Sequence, residues 1–246
     1  MFHLRPAAEP DAHRGPQHRF LPPLPAIAAL VPRLVAIAIL AVVYVAMTIA
    51  ITAGLFTSLD LQVAAAAHAA WQPSLHTIFQ VIALLGGIEL TTILMLGLFF
   101  FLLRRGFGSD ALGIAVVFIT ANLLELFYKR SLYHPGPPQS IAQADGPSLT
   151  HAVVSQIAYN SFPSGHVVRA VLVYGLLAFV IRRLAASPLV RALAVPLAVV
   201  VIVVVSFDRI YLDVHWESDV IGGLILGAIA LLAGTVWLDR PRKPEN

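Results

Sequence analysis

Along this chain, long apolar runs alternate with short polar connections on the scale of whole membrane crossings. A helix needs about 20 apolar residues to cross the hydrocarbon of a bilayer. The first such run extends from Leu34 to Ser58, between Arg33 and Asp60. The next covers Ile78 to Leu103 and holds one acid, Glu89; a third covers Ala111 to Tyr128, with Glu125 near its end. Three more follow, Ser164 to Ile181, Ala192 to Phe207 and Val220 to Leu238. No internal repeat interrupts them. They predict an all-α integral membrane protein of six transmembrane helices, with one membrane domain over residues 24–239. The proline- and arginine-bearing residues 1–23 predict a disordered N-terminal segment, and residues 240–246 a short basic tail. The apolar run after residue 23 is too long for a signal-peptide core, so it predicts an uncleaved first span. The Ala-rich stretch Leu61 to Leu75, with one tryptophan, predicts a helix lying in the interface rather than a span.

Composition supports this division. The 246 residues are 59% hydrophobic and 12% charged, and the mean hydropathy is +0.84. A soluble domain carries about 25% charged residues, so most of this surface must face lipid. The net charge of +3 is scattered, which argues against a nucleic-acid partner. The absence of cysteine excludes disulfides, thiolate metal sites and a cysteine nucleophile. Six alternating spans put Arg5, Arg14, Arg19, Arg33, Arg104, Arg105, Arg182, Arg183, Arg191, Arg240, Arg242 and Lys243 on one side. The other side receives only Lys129, Arg130 and Arg209. The positive-inside bias then predicts a plasma (inner) membrane protein with both termini cytoplasmic. The connections Arg130–Phe162 and Asp208–Asp219 face outward.

The few charged residues on the outward side carry the candidate chemistry. Lys129 ends the third span, His166 opens the fourth, Arg209 ends the fifth, and His215 and Asp219 lead into the sixth. These helix ends share one membrane face, so their side chains can converge on an oxyanion, for which phosphate is the natural candidate. The turn Pro163-Ser164-Gly165 adds a hydroxyl and backbone amides at a helix N-terminus, where anions bind. His215 and Asp219 are four apart and share a helix face. A carboxylate there can hold the imidazole in the tautomer that frees its far nitrogen for attack. His166 would then protonate the leaving group. Blander readings stand beside this one: His166 as an interfacial cap, Lys129 and Arg209 snorkelling to headgroups, and Glu125–Lys129 as a helix-face ion pair. A metal site built on Asp213, His215 and His134 is disfavoured, because no ligand-bearing helix motif is present.

Taken together, the motifs resemble the membrane-bound type 2 phosphatidic acid phosphatase (PAP2) family, related to vanadium haloperoxidases. Its motifs are K-x6-R-P, P-S-G-H and S-R-x5-H-x3-D. Here "PSGH" is intact at Pro163 to His166, and "DRIYLDVHWESD" keeps Arg209, His215 and Asp219 at the family spacing. "KRSLYHPGP" keeps Lys129 and Pro137. The resemblance implies a PAP2/haloperoxidase-like helical bundle that hydrolyses a lipid phosphate or diphosphate through a phosphohistidine. His215 would be the nucleophile, Asp219 its orienting acid and His166 the general acid. Lys129, Ser164, Gly165 and Arg209 would bind phosphoryl oxygens, with no metal or other cofactor.

Two positions depart from the pattern. Gly136 replaces the first motif's arginine and Asp208 the third motif's serine, and Asp213 and Glu217 add further acids. The expectation is weaker phosphate binding. Arg169, three residues beyond His166, is an auxiliary cation for the phosphate, or else a structural partner of Glu89 or Glu125; Arg130 is a second auxiliary candidate. Isoprenoid (undecaprenyl-type) diphosphate, phosphatidate and phosphatidylglycerol phosphate all fit as substrates. The alternatives are a transferase that uses an acceptor other than water and a catalytically silent lipid-phosphate binding or transport protein.

Overall fold

The computed structural model describes residues 29–138 and 160–241. The segment 1–23, most of the outward connection and the end of the basic tail lie outside the described residues. Within them the chain is helical: α1 Val31–Thr52, α2 Thr57–Ala70, α3 Pro73–Gly86, α4 Ile88–Arg104, α5 Gly108–Ser131, α6 Gly165–Leu184, α7 Pro188–Tyr211 and α8 Glu217–Asp239.

Five stretches are long and apolar enough to cross a membrane: α1, the joined α3–α4, α5, α7 and α8. The sixth expected span, α6, is absent from that set for a physical reason. It carries Arg169 and the Arg182–Arg183 pair, and it lies in the middle of the bundle against α3, α4, α5, α7 and α8. Val167, Val168, Leu172, Val173 and Leu176 on it are fully buried. A helix walled off from lipid by its neighbours need not be apolar all round. The outer helices show the complement, with Val42 of α1 and Leu197 and Val203 of α7 among their exposed large side chains.

Helix breaks follow local chemistry. α1 ends sooner than expected, at a turn through Gly54 with φ +72°, a conformation open to glycine. α2 stops where Pro73 forces the residue before it out of helical space; Trp71 and Gln72 are extended and Pro73 opens α3. The expected Ile78–Leu103 helix is two helices, parted at Gly87 with φ −60° and ψ 149°.

The seam between α6 and α8 positions the site. A Cβ on Gly223 would stand 2.8 Å from the Ser164 carbonyl oxygen, and one on Gly227 would stand 2.7 Å from Val171 Cβ. Only bare backbone permits that approach, the small-residue packing common between membrane helices. It brings the start of α6 and the start of α8 to one level.

Candidate active site

The convergence expected of the helix ends is present. Ser164 N donates to the carbonyl of Asp219 at 3.0 Å, tying the Pro-Ser-Gly turn to the first turn of α8. Asp219 is the third residue of α8 and does two things with one oxygen. Its Oδ2 accepts from Trp216 N at 2.9 Å, which caps its own helix, and lies 3.1 Å from His215 Nδ1. An acid at this position satisfies a free amide of the first turn, and here it also orients an imidazole. Asp219 is fully buried and His215 nearly so. With Nδ1 engaged, Nε2 is the ring nitrogen left for chemistry.

Basic groups lie near the second histidine of the motifs. Arg209, Arg169, His215 and Lys129 all act electrostatically on His166. Arg209 is fully buried, and its Nε and Nη2 both donate to Asp208 Oδ2, the Nε bond at 2.8 Å. The acid in place of the motif's serine therefore holds the guanidinium. The Ser164 hydroxyl is fully buried and has no hydrogen-bond partner among the described residues. An orphaned buried hydroxyl costs free energy, and an anion oxygen would satisfy it.

Lys129 and Arg169 meet on one carboxylate. Glu125 Oε1 lies 3.0 Å from Lys129 Nζ, and Oε2 lies 2.8 Å from Arg169 Nη1. Arg169 also donates from Nε to the Gly86 carbonyl at 3.1 Å. The structural partner expected for Arg169 is thus Glu125, and that pair is buried. Glu125 packs directly on the Pro-Ser-Gly turn: a Cβ on Gly165 would fall 1.9 Å from Oε1, so a larger residue here would displace the carboxylate. Arg130, the second auxiliary candidate, is exposed at the end of α5.

The family model described as PAP2 superfamily matches residues 110–243. The chain belongs to the PAP2 superfamily. It is accordingly a multi-pass membrane phosphatase of the PAP2 type, with the helical fold of that family. It is 31% identical over 177 residues to phosphatidylglycerophosphatase B of Bacillus subtilis (strain 168), covering 70% of this chain and 79% of the relative. Its fold matches the crystal structure described as the first transmembrane PAP2 type phosphatidylglycerolphosphate phosphatase from Bacillus subtilis. There the TM-score is 0.69 at 27% identity, over 85% of this chain and 98% of that one. A weaker likeness, TM-score 0.47 at 21% identity over 74% of this chain and 96% of the other, runs to Aquifex aeolicus LpxE.

Within this PAP2 site one of the extra acids has a side-chain partner. Asp213, with φ +53°, is buried, and its Oδ2 lies 2.5 Å from His68 Nε2. That contact ties it to α2. Gly136 leaves room: a Cβ there would stand 3.5 Å from Ser161 Cβ and 3.8 Å from the Val214 carbonyl.

Several residues the sequence did not single out for this role support the site. Asn160 bridges the end of α5 to the first motif, donating to the Lys129 carbonyl and accepting from His134 N, both at 2.9 Å. His134 Nε2 stands 3.5 Å from Asp219 Oδ1 and 3.3 Å from Ser218 Oγ. Asp60 of α2 accepts from both Ser218 N and Ser218 Oγ at 2.9 Å. Burial pushes the Asp60 carboxyl up from its ordinary value, and the two Ser218 bonds pull it part of the way back. Asp60 announces itself only as a lone acid beside an Ala-rich stretch.

Proposed function

We propose that this PAP2 protein removes the terminal phosphate from a membrane lipid at the extracytoplasmic face, with His215 as nucleophile. His215 Nε2 attacks phosphorus while the lipid oxygen leaves and takes a proton from His166. Water, deprotonated by His166, then cleaves the phosphorus–nitrogen bond and releases inorganic phosphate. Arg209, Lys129, the Ser164 hydroxyl and the Gly165 amide hold the phosphoryl oxygens through both steps, so charge that grows on them meets donors already in place. The observation that carries this reading is the buried Asp219 carboxylate on His215 Nδ1 at 3.1 Å, on a residue whose carbonyl accepts from Ser164 N at 3.0 Å beside the orphaned Ser164 hydroxyl.

The named activity of the Bacillus relative makes phosphatidylglycerophosphate the first substrate to try, with phosphatidate and undecaprenyl diphosphate beside it. Purified protein should release inorganic phosphate from at least one of them and, with labelled substrate, carry label on His215. His215→Ala should do neither while keeping its helical circular-dichroism spectrum. Phosphate release by that variant at the wild-type rate overturns the assignment.

The outward placement rests on the basic residues, twelve on one side against three on the other. It has its own test, since the chain lacks cysteine. Ser148→Cys should react with an impermeant thiol reagent in intact cells, and Ser187→Cys should not. The reverse pattern moves the site to the cytoplasmic face.

A further inference from the structure

α2 holds 14 residues, fewer than the roughly 20 that a membrane crossing needs, and its polar contacts concentrate on one short segment. Gln72, just past its end, donates from its backbone N to the Tyr211 hydroxyl at 2.9 Å. His68 Nε2 lies 2.5 Å from Asp213 Oδ2. Asp60, two helical turns before His68, accepts both the amide and the hydroxyl of Ser218. These partners fall between residues 211 and 218, and His215 lies inside that stretch, two residues after Asp213 and three before Ser218.

The segment needs such support. Asp213 is held at φ +53°, in the left-handed region that side chains with a Cβ adopt at a cost. Such conformations persist where surrounding structure over-determines them, and they gather at functional sites. Asp213 and Asp60 are 1% and 3% exposed, so both pins sit in surroundings where hydrogen bonds are strong. The Asp60 pin reaches further: Ser218 Oγ is 3.3 Å from His134, whose Nε2 is 3.5 Å from the Asp219 oxygen that His215 does not use. One pin grips the backbone turn before the imidazole, and the other grips the first turn of the helix that orients it.

We propose that α2 is a brace for the nucleophile turn, with His68 and Asp60 as positioning residues that set the angle of the His215 imidazole. The proposal rests on the reading of His215 as nucleophile. It also gives the added acids Asp213 and Glu217 separate meanings: Asp213 is a contact point for α2, while Glu217 is not needed by the brace.

The test uses full-length protein with phosphatidylglycerophosphate in detergent micelles, comparing wild type with His68→Ala, Asp60→Asn, Asp60→Ala and His68→Ala/Asp60→Ala. Displacement of a reacting group by about 1 Å costs up to about 10²-fold in rate. The expectation is therefore a fall in kcat of about tenfold for His68→Ala and Asp60→Ala, approaching 10²-fold for the pair, with KM within about twofold. Asp60→Asn keeps an oxygen to accept from Ser218 N, so it should restore part of the Asp60→Ala loss; it also guards against a variant that merely fails to fold. Carbethoxylation of His215 by diethyl pyrocarbonate, followed by peptide mass spectrometry, reports the imidazole directly. Its rate should change in the double variant while that of His76 does not. A role in packing alone would lower the melting temperature and leave kcat and His215 reactivity as in wild type, and that result overturns the brace. Wild-type protein that releases no phosphate from any lipid overturns the reading of His215 as nucleophile instead, and the carbethoxylation rates still decide whether α2 positions the ring.

Discussion

The bundle has a charged cluster at each end, and the two are built differently. At the end formed by the starts of α1 and α5 and the ends of α6 and α8, each cluster is closed upon itself. Asp239 is fully buried and takes Arg33 at 2.6 Å together with Arg183. Asp110 takes Arg240 at 2.8 Å. The arginines lie on aromatic faces, Arg33 and Arg183 on Phe179 and Arg240 on Trp237, where the ring quadrupole adds to the attraction. At the other end the cations crowd together. Arg209, Arg169, Lys129 and His215 all bear on His166, and a fully buried serine hydroxyl lacks a partner among the described residues. The same ingredients serve as fasteners at one end and, at the other, surround a buried hydroxyl left without a partner among the described residues.

The contrast is broken most sharply at Asp219. Asp219→Asn should reduce kcat by up to about 10⁴-fold, the scale of loss when an orienting acid becomes an amide in the Ser-His-Asp enzymes. The change is nearly isosteric and the Trp216 amide can still be accepted, so a melting temperature far below wild type would instead mark Asp219 as a fastener. Asp239→Ala asks the reverse question. It should lower stability by about 1–3 kcal/mol, less than for a fully buried pair because both arginines reach solvent, and leave kcat within about twofold. A large fall in kcat at unchanged melting temperature would mean that the two ends are not separate. The gentlest change sharpens the contrast. Gly136→Arg should lower KM by about ten- to a hundredfold, since one charge-assisted hydrogen bond is worth about 1.5–3 kcal/mol; a steady-state titration with phosphatidylglycerophosphate measures it. A KM that rises would show that this site is tuned to work without that cation.

Much of this was legible in the sequence because membrane helices announce themselves by composition. The spans, the shared level of Lys129, His166, Arg209, His215 and Asp219, and the four-residue spacing of His215 and Asp219 all rest on local pattern. What escaped was long-range. Asp60 meets Ser218 across 158 positions and His68 meets Asp213 across 145, and no periodicity encodes such pairings. The break at Gly87 escaped because the Gly-Gly pair sits in an apolar run that reads as continuous. It has a geometric logic: the joined span Pro73–Arg104 holds 32 residues, about 48 Å if straight, against a hydrocarbon core of about 30 Å. The sequence leaves Arg169 open between phosphate and ion pair, because a cation's partner inside a bundle depends on rotation about helix axes that a single sequence does not fix.

One feature of α8 has a bearing on how the molecule is made. This helix holds Asp219 at one end and Asp239 at the other, and its glycines form the seam with α6. During synthesis it leaves the ribosome after every other described helix, and chains are assembled roughly in that order. Until it arrives, Arg33 and Arg183 lack their shared carboxylate and His215 lacks its orienting acid. A single late docking event therefore closes the fasteners and completes the catalytic geometry together. A chain that stops short of α8 would lack Asp219 and Asp239 alike, and with them the acid on His215 and the carboxylate that joins Arg33 to Arg183.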